Sequence, residues 1–198
     1  MVLRCASTMT ERSEPRFIPS RLDEIERVEE YRPGGFHPIV VGDLLAHGRY
    51  RVIHKLGFGG SSTIWLARDQ QQKEPGRLVT LKALRADISC NETPELVVPR
   101  SLQAAFPDSS GDFQTIEDHF IVHGPNGTHL FLISPLAGPS VLAMSDSPGR
   151  VSGSRRLRGD LARKVAKETT RAIYCMHSAG WVHGGKLSCS PFFFATDE

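Results

Sequence analysis

At 198 residues and a formal net charge of +2, the chain can bury one good core or two small ones, and it has no bulk charge to recruit nucleic acid or an anionic membrane directly. Charged residues make up 23% and hydrophobic ones 39%, a balance that suits a soluble globular protein, and no apolar run approaches the eighteen or so residues that span a bilayer. The four cysteines, Cys5, Cys90, Cys175 and Cys189, are scattered without paired ligand spacing, so no metal site is expected and reduced thiols in an intracellular compartment, cytoplasm and/or nucleus, are the reading.

Residues 1–19 are polar, carry Glu11, Glu14, Pro15 and Pro19, and lack the apolar core of a secretory signal; a disordered tail is expected. Residues 20–49 form a lead-in. Ser20 caps a predicted acidic helix over residues 21–30, in which Leu22, Ile25 and Val28 share a face expected to dock on the body of the protein. Tyr31, Phe36 and His37 lie in a Pro/Gly-rich entry segment and are expected to anchor it to a sheet. Residues 39–41 read as a short strand and residues 42–45 as a turn.

Residues 50–136 read as a sheet with one helix. Residues 50–56 alternate Tyr, Val, His and Leu against Arg, Ile and Lys, the period of a half-buried strand. Residues 64–68 return antiparallel, residues 70–76 make a polar hairpin loop, and residues 77–84 are a third strand. Thr93, Pro94 and Glu95 supply a cap, a first-turn proline and a first-turn acid for a helix that Pro99 should kink or end. Residues 119–123 and 128–134 flank Gly124-Pro125-Asn126-Gly127 as a hairpin, which completes an expected five-stranded antiparallel sheet. Residues 137–198 begin with a Pro/Gly break and contain the strongest helical pattern, residues 155–178, with Leu157, Leu161, Val165, Ile173 and Met176 as its stripe. Ala179-Gly180 supplies its stop, and residues 181–194 read as a short strand and loop.

The chemistry concentrates where the first strand runs into Leu56, Gly57, Phe58, Gly59, Gly60, Ser61, Ser62, Thr63 and Ile64. A strand, a glycine turn and a returning strand can fold over a phosphate chain, because backbone N–H groups without Cβ atoms approach anionic oxygens closely. Lys82, on the third strand, adds a positive charge beneath that turn. Alone, the glycines also fit an ordinary hairpin; the Val79-Thr80-Leu81-Lys82 strand at this distance sharpens the signal. A P-loop is excluded, since no Lys-Ser/Thr pair follows the glycines and a strand rather than a helix comes next.

In this order the motifs resemble the N-terminal half of a eukaryotic-type serine/threonine protein kinase, most of all the SR-protein kinases and their fungal relatives, over residues 31–194. The fold implied is α+β: a kinase-like N-lobe of five antiparallel strands plus a helix, followed by a truncated helical C-lobe. The resemblance implies ATP as the cofactor, with magnesium once its ligands are supplied, and arginine/serine-rich proteins as substrates. Gly57, Gly59 and Gly60 would cover the phosphates and Ile64 would pack on adenine. Lys82 would contact the phosphates and pair with a helical glutamate, Glu95 or else Glu92. Ser134, Pro135 and Leu136 would form the gatekeeper and hinge, and Thr80 replaces the family's usual alanine.

The resemblance breaks at the catalytic loop. His183 matches the loop's histidine as a structural remnant, but Gly185 stands where the aspartate belongs, and neither Cys189 nor Ser190 replaces a magnesium-binding asparagine. Glycine cannot accept or orient a hydroxyl proton, so no catalytic set is intact and phosphotransfer by this polypeptide is not expected. The alternatives are a non-catalytic nucleotide- or partner-binding module, or a misread junction across residues 185–190 of an active enzyme.

Overall fold

The computed structural model describes residues 26–71, 76–107, 113–138, 141 and 157–182. The alternating segments assemble into one antiparallel sheet in the order β1 (Leu44–Leu45), β2 (Tyr50–Phe58), β3 (Ser62–Asp69), β4 (Arg77–Leu84), β6 (Gly127–Pro135) and β5 (Asp118–Gly124). Helix α1 (Pro94–Ala105) crosses from β4 toward the β5–β6 hairpin, and α2 (Gly159–Ser178) follows the sheet in sequence.

Period-two alternation divides the sheet into two covered faces. On the first, Val79, Leu81 and Ala83 of β4 pack with Trp65 and Ala67 of β3, Phe131 and Ile133 of β6, and Tyr50 and Val52 of β2. Ile39 of the lead-in joins that core, and Phe36 beside it is 3% exposed. On the second face Leu84, Leu130 and Leu132 pack against Leu96 of α1. The strand meander, the helix and the closing hairpin thus follow one another in the antiparallel arrangement expected from the sequence.

The differences from expectation have local causes. The sheet has six strands, because Leu44–Leu45 pairs with Arg51 and Tyr50 in what reads as a turn; residues 39–41 stay outside the ladder, although Ile39 is buried. The described part of the predicted lead-in helix is one 3-10 turn, Val28–Glu30, in which Val28 is 73% exposed while Glu26 is buried. Burial there follows an ion pair rather than an apolar stripe, since Glu26 meets Lys55 and the Tyr31 hydroxyl. Pro99 neither ends α1 nor splits it. An interior proline costs ~3 kcal/mol, and the fully buried Leu96 and Leu102 contribute ~1.5–3 kcal/mol each. The helix survives on packing. Helix α2 starts at Gly159, and Cys175 is its one fully buried residue among those described.

The lead-in is held at three points. The Asn126 side chain donates to the Phe36 carbonyl at 2.7 Å, and the Gly34 amide donates to the Asn126 carbonyl at 2.8 Å. Gly35 fits because a Cβ there would lie 1.9 Å from the Glu30 carbonyl oxygen. A polar cluster ties the other end: Arg49 donates to Asp69 at 2.8 Å and to Asp118 at 2.9 Å, and the Tyr50 hydroxyl donates to Asp118 at 2.8 Å.

Candidate functional site

Cross-strand register sets which side chains meet. Ile64 pairs with Lys82, Leu66 with Thr80, Lys82 with Leu132 and Thr80 with Ser134, so these residues share the face that carries Leu84 and α1. The Lys82 ammonium lies 3.2 Å from Glu95 Oε1, with the two side chains 32% and 29% exposed. Glu95 is in the first turn of α1, where the unsatisfied N–H groups favour a carboxylate. Leu96, the next residue, is buried on Leu84 and Leu130, and that contact aims Glu95 at β4. Glu92 is exposed in the turn before the helix.

The turn joining β2 to β3 runs above this pair. It is closed by the Gly59 amide donating to the Ser62 carbonyl at 2.8 Å. A Cβ at Gly57, Gly59 or Gly60 would meet nothing within 4 Å, and none of the three has a positive φ. Neither sterics nor backbone conformation inside the chain requires glycine at these positions. The open side of the turn is where the absence of side chains has its effect.

The remaining sequence-selected residues separate into two sets. Ile64 and Ser134 border the Lys82 face, and Leu136 follows the end of β6 and is exposed; Ser134 is buried and accepts a hydrogen bond from Gln114 Nε2 at 2.9 Å. Leu56 is 47% exposed. Ser62 is buried at the pairing with Leu84. Phe58 and Thr63 depart from the sequence reading. They pair with each other, Thr63 pairs with Ala83, and both therefore look to the opposite face. Thr63 is fully buried and its hydroxyl accepts from Trp65 Nε1 at 3.0 Å. Phe58 borders a hollow of about 340 Å³ with Phe36 and Arg85. His183 and Gly185 lie outside the described residues.

Two contacts were not evident from spacing, although Ser61 itself belongs to the turn selected from the sequence. Ser61 donates to Glu95 Oε1 at 3.3 Å, and Gln114 reaches Ser134 from a segment with no periodicity of its own. Both contacts join residues at least 20 apart, so no window of sequence carries their signal.

What this face can do follows from its parts: an apolar floor at Ile64 and Leu66, a cation held by a carboxylate, and a side-chain-free turn above them. These suit a planar apolar group joined to an anion. Among the described residues no group of three or more His, Cys, Asp or Glu could hold a metal ion, so no magnesium ligand set is assigned within them. Cys90 and Cys175 are free thiols, and no described helix is long and apolar enough to cross a membrane.

Comparison with known proteins gives the same direction. The chain is 32% identical over 166 residues to the serine/threonine-protein kinase spk-1 of Caenorhabditis briggsae, covering 81% of this chain and 14% of that protein. It is 31% identical over 163 residues to protein kinase dsk1 of Schizosaccharomyces pombe, covering 80% and 29%. It is 34% identical over 125 residues to SRSF protein kinase 3 of Homo sapiens, covering 61% and 21%. No family model matches. The chain thus spans less than a third of the length of each of these relatives.

Proposed function

We propose that this chain, a relative of the SR-protein kinases with a kinase-type N-lobe, uses the Lys82 face to bind ATP as the nucleotide-holding part of a serine/threonine protein kinase. The observation that carries the proposal is the Lys82–Glu95 pair at 3.2 Å beneath a glycine turn whose glycines the chain itself does not need. Lys82 would hold α/β-phosphate oxygens while Glu95 keeps the ammonium extended toward them. Backbone N–H groups of Gly57 to Gly60 would close over the phosphates. Leu56, Ile64 and Thr80 would sandwich adenine, whose edge would be read by backbone groups at Ser134, Pro135 and Leu136. Phe58 and Thr63 take no side-chain part in this scheme.

The chemistry of the bound nucleotide is to offer a γ-phosphoryl group to a protein Ser or Thr hydroxyl, and arginine/serine-rich proteins in the cytoplasm or nucleus are the substrates we propose. A second reading rests on Gly185. With glycine where the resemblance calls for an aspartate, the substrate hydroxyl has no base and no orienting acceptor at that position. We therefore propose nucleotide binding without phosphotransfer for these 198 residues.

Calorimetric titration with Mg-ATP tests both readings. Saturable binding that Lys82→Ala weakens supports the site, and absence of any binding removes it. ATP-dependent phosphorylation of an arginine/serine peptide by this chain would restore the catalytic reading over the non-catalytic one.

A further inference from the structure

Ser61 is held by two different elements. Its carbonyl accepts the Arg85 amide at 3.0 Å, fixing the turn's backbone to the end of β4. Its hydroxyl donates to Glu95 Oε1 at 3.3 Å, fixing the side chain to α1. The same carboxylate oxygen takes the Lys82 ammonium at 3.2 Å. Glu95 Oε2, by contrast, is shielded from solvent and has no hydrogen-bond partner among the described residues. Glu95 thus has two tethers, both on one oxygen: a lysine and a serine.

These tethers are not equivalent once an anion arrives. A phosphate above Lys82 competes with Glu95 for the ammonium, and the stronger the new contact, the weaker the old one. The Ser61 hydroxyl belongs to the turn that covers the phosphate and does not lose Glu95 in that exchange. It is the contact that keeps α1 against the turn while Lys82 changes partners.

We infer that Ser61 is a positioning residue that couples the glycine turn to α1 through Glu95, so that turn and helix hold one arrangement in the free chain and keep it when Lys82 engages an anion. The purpose of this coupling rests on the nucleotide-binding reading; the coupling itself belongs to the chain without nucleotide.

Amide hydrogen exchange on the free 198-residue chain tests it. Loss of one partly exposed hydrogen bond in Ser61→Ala should speed exchange at residues 59–62 and in the first turn of α1 about five-fold. Ser61→Thr, which keeps the hydroxyl, should restore the original rates. In a Glu95→Ala background, Ser61→Ala should add nothing. Unchanged exchange in Ser61→Ala, failure of threonine to restore it, or the same acceleration without Glu95 would each overturn the coupling. A parallel Mg-ATP titration keeps the two ideas apart, because absent nucleotide binding with the expected exchange pattern removes the nucleotide reading and leaves the coupling standing.

Discussion

The His37 ring lies against the His129 ring, centroid to centroid 4.8 Å, where the lead-in covers the sheet. His129 is fully buried, and its Nδ1 sits 3.0 Å from the Leu84 carbonyl, which can only accept, so that nitrogen carries the proton. His129 Nε2 and His37 Nδ1 are both buried without hydrogen-bond partners among the described residues. Burial, then the neighbouring His129, hold His37 below its ordinary value near 6.5, against an opposing pull from Asp43. The unfolded chain therefore takes up this proton first as pH falls. Stability should be level above pH 6.5 and decline below it. Thermal midpoints measured across pH 5 to 8 should show this slope, and His37→Gln should flatten it.

Glycines of two kinds should respond in opposite ways to the same substitution. Gly35→Ala drives a Cβ to within 1.9 Å of a backbone oxygen, which cannot move aside cheaply. A loss of ~3 kcal/mol in chemical denaturation is expected. Gly59→Ala enters open space at an ordinary φ, so folding stability should hold or rise by ~0.5 kcal/mol. Only the second should weaken Mg-ATP binding in the folded protein.

Lys82→Ala should weaken Mg-ATP binding by ten-fold or more, on the order of the 1.5–3 kcal/mol that a charged hydrogen-bonding group contributes. Its effect on stability should be small. A pair whose members are about 30% exposed contributes ~0–1 kcal/mol to folding. Calorimetry and a thermal scan on the same preparation separate the two quantities.

Asp69 gives a different result because its side chain is 1% exposed and receives Arg49 at 2.8 Å and the Gln71 amide at 3.0 Å. Arg49→Ala leaves that carboxylate buried without its cation. It should cost ~3 kcal/mol, somewhat relieved because Arg49 is itself 30% exposed. The arginine hydrogen bond, more than any other cause, holds the Asp69 carboxyl below its ordinary 3.8. Its stabilisation is complete above that pH and is lost as pH falls below it. Urea midpoints between pH 5 and 3 should fall in the wild-type chain and fall less in Arg49→Ala.

Local order in the chain was enough to read β4, the β5–β6 hairpin and the placement of Thr80 with Lys82, because alternation and turn chemistry are properties of neighbours. The start of α1 was equally legible from Thr93, Pro94 and Glu95, although the Thr93 hydroxyl makes no capping hydrogen bond. The faces of Phe58 and Thr63 were not, since the ladder shifts register between Lys55 and Gly57 and alternation counted from Tyr50 cannot be carried across an irregularity. The sequence put Glu95 ahead of Glu92 but could not settle that choice, nor bring the Ser61 hydroxyl beside the former. That choice depends on where α1 lands, and α1 lands where Leu96 finds Leu84, Leu130 and Leu132. The sequence determined a glycine turn over a strand lysine; burial between residues distant in the chain decided which carboxylate and which hydroxyl meet it.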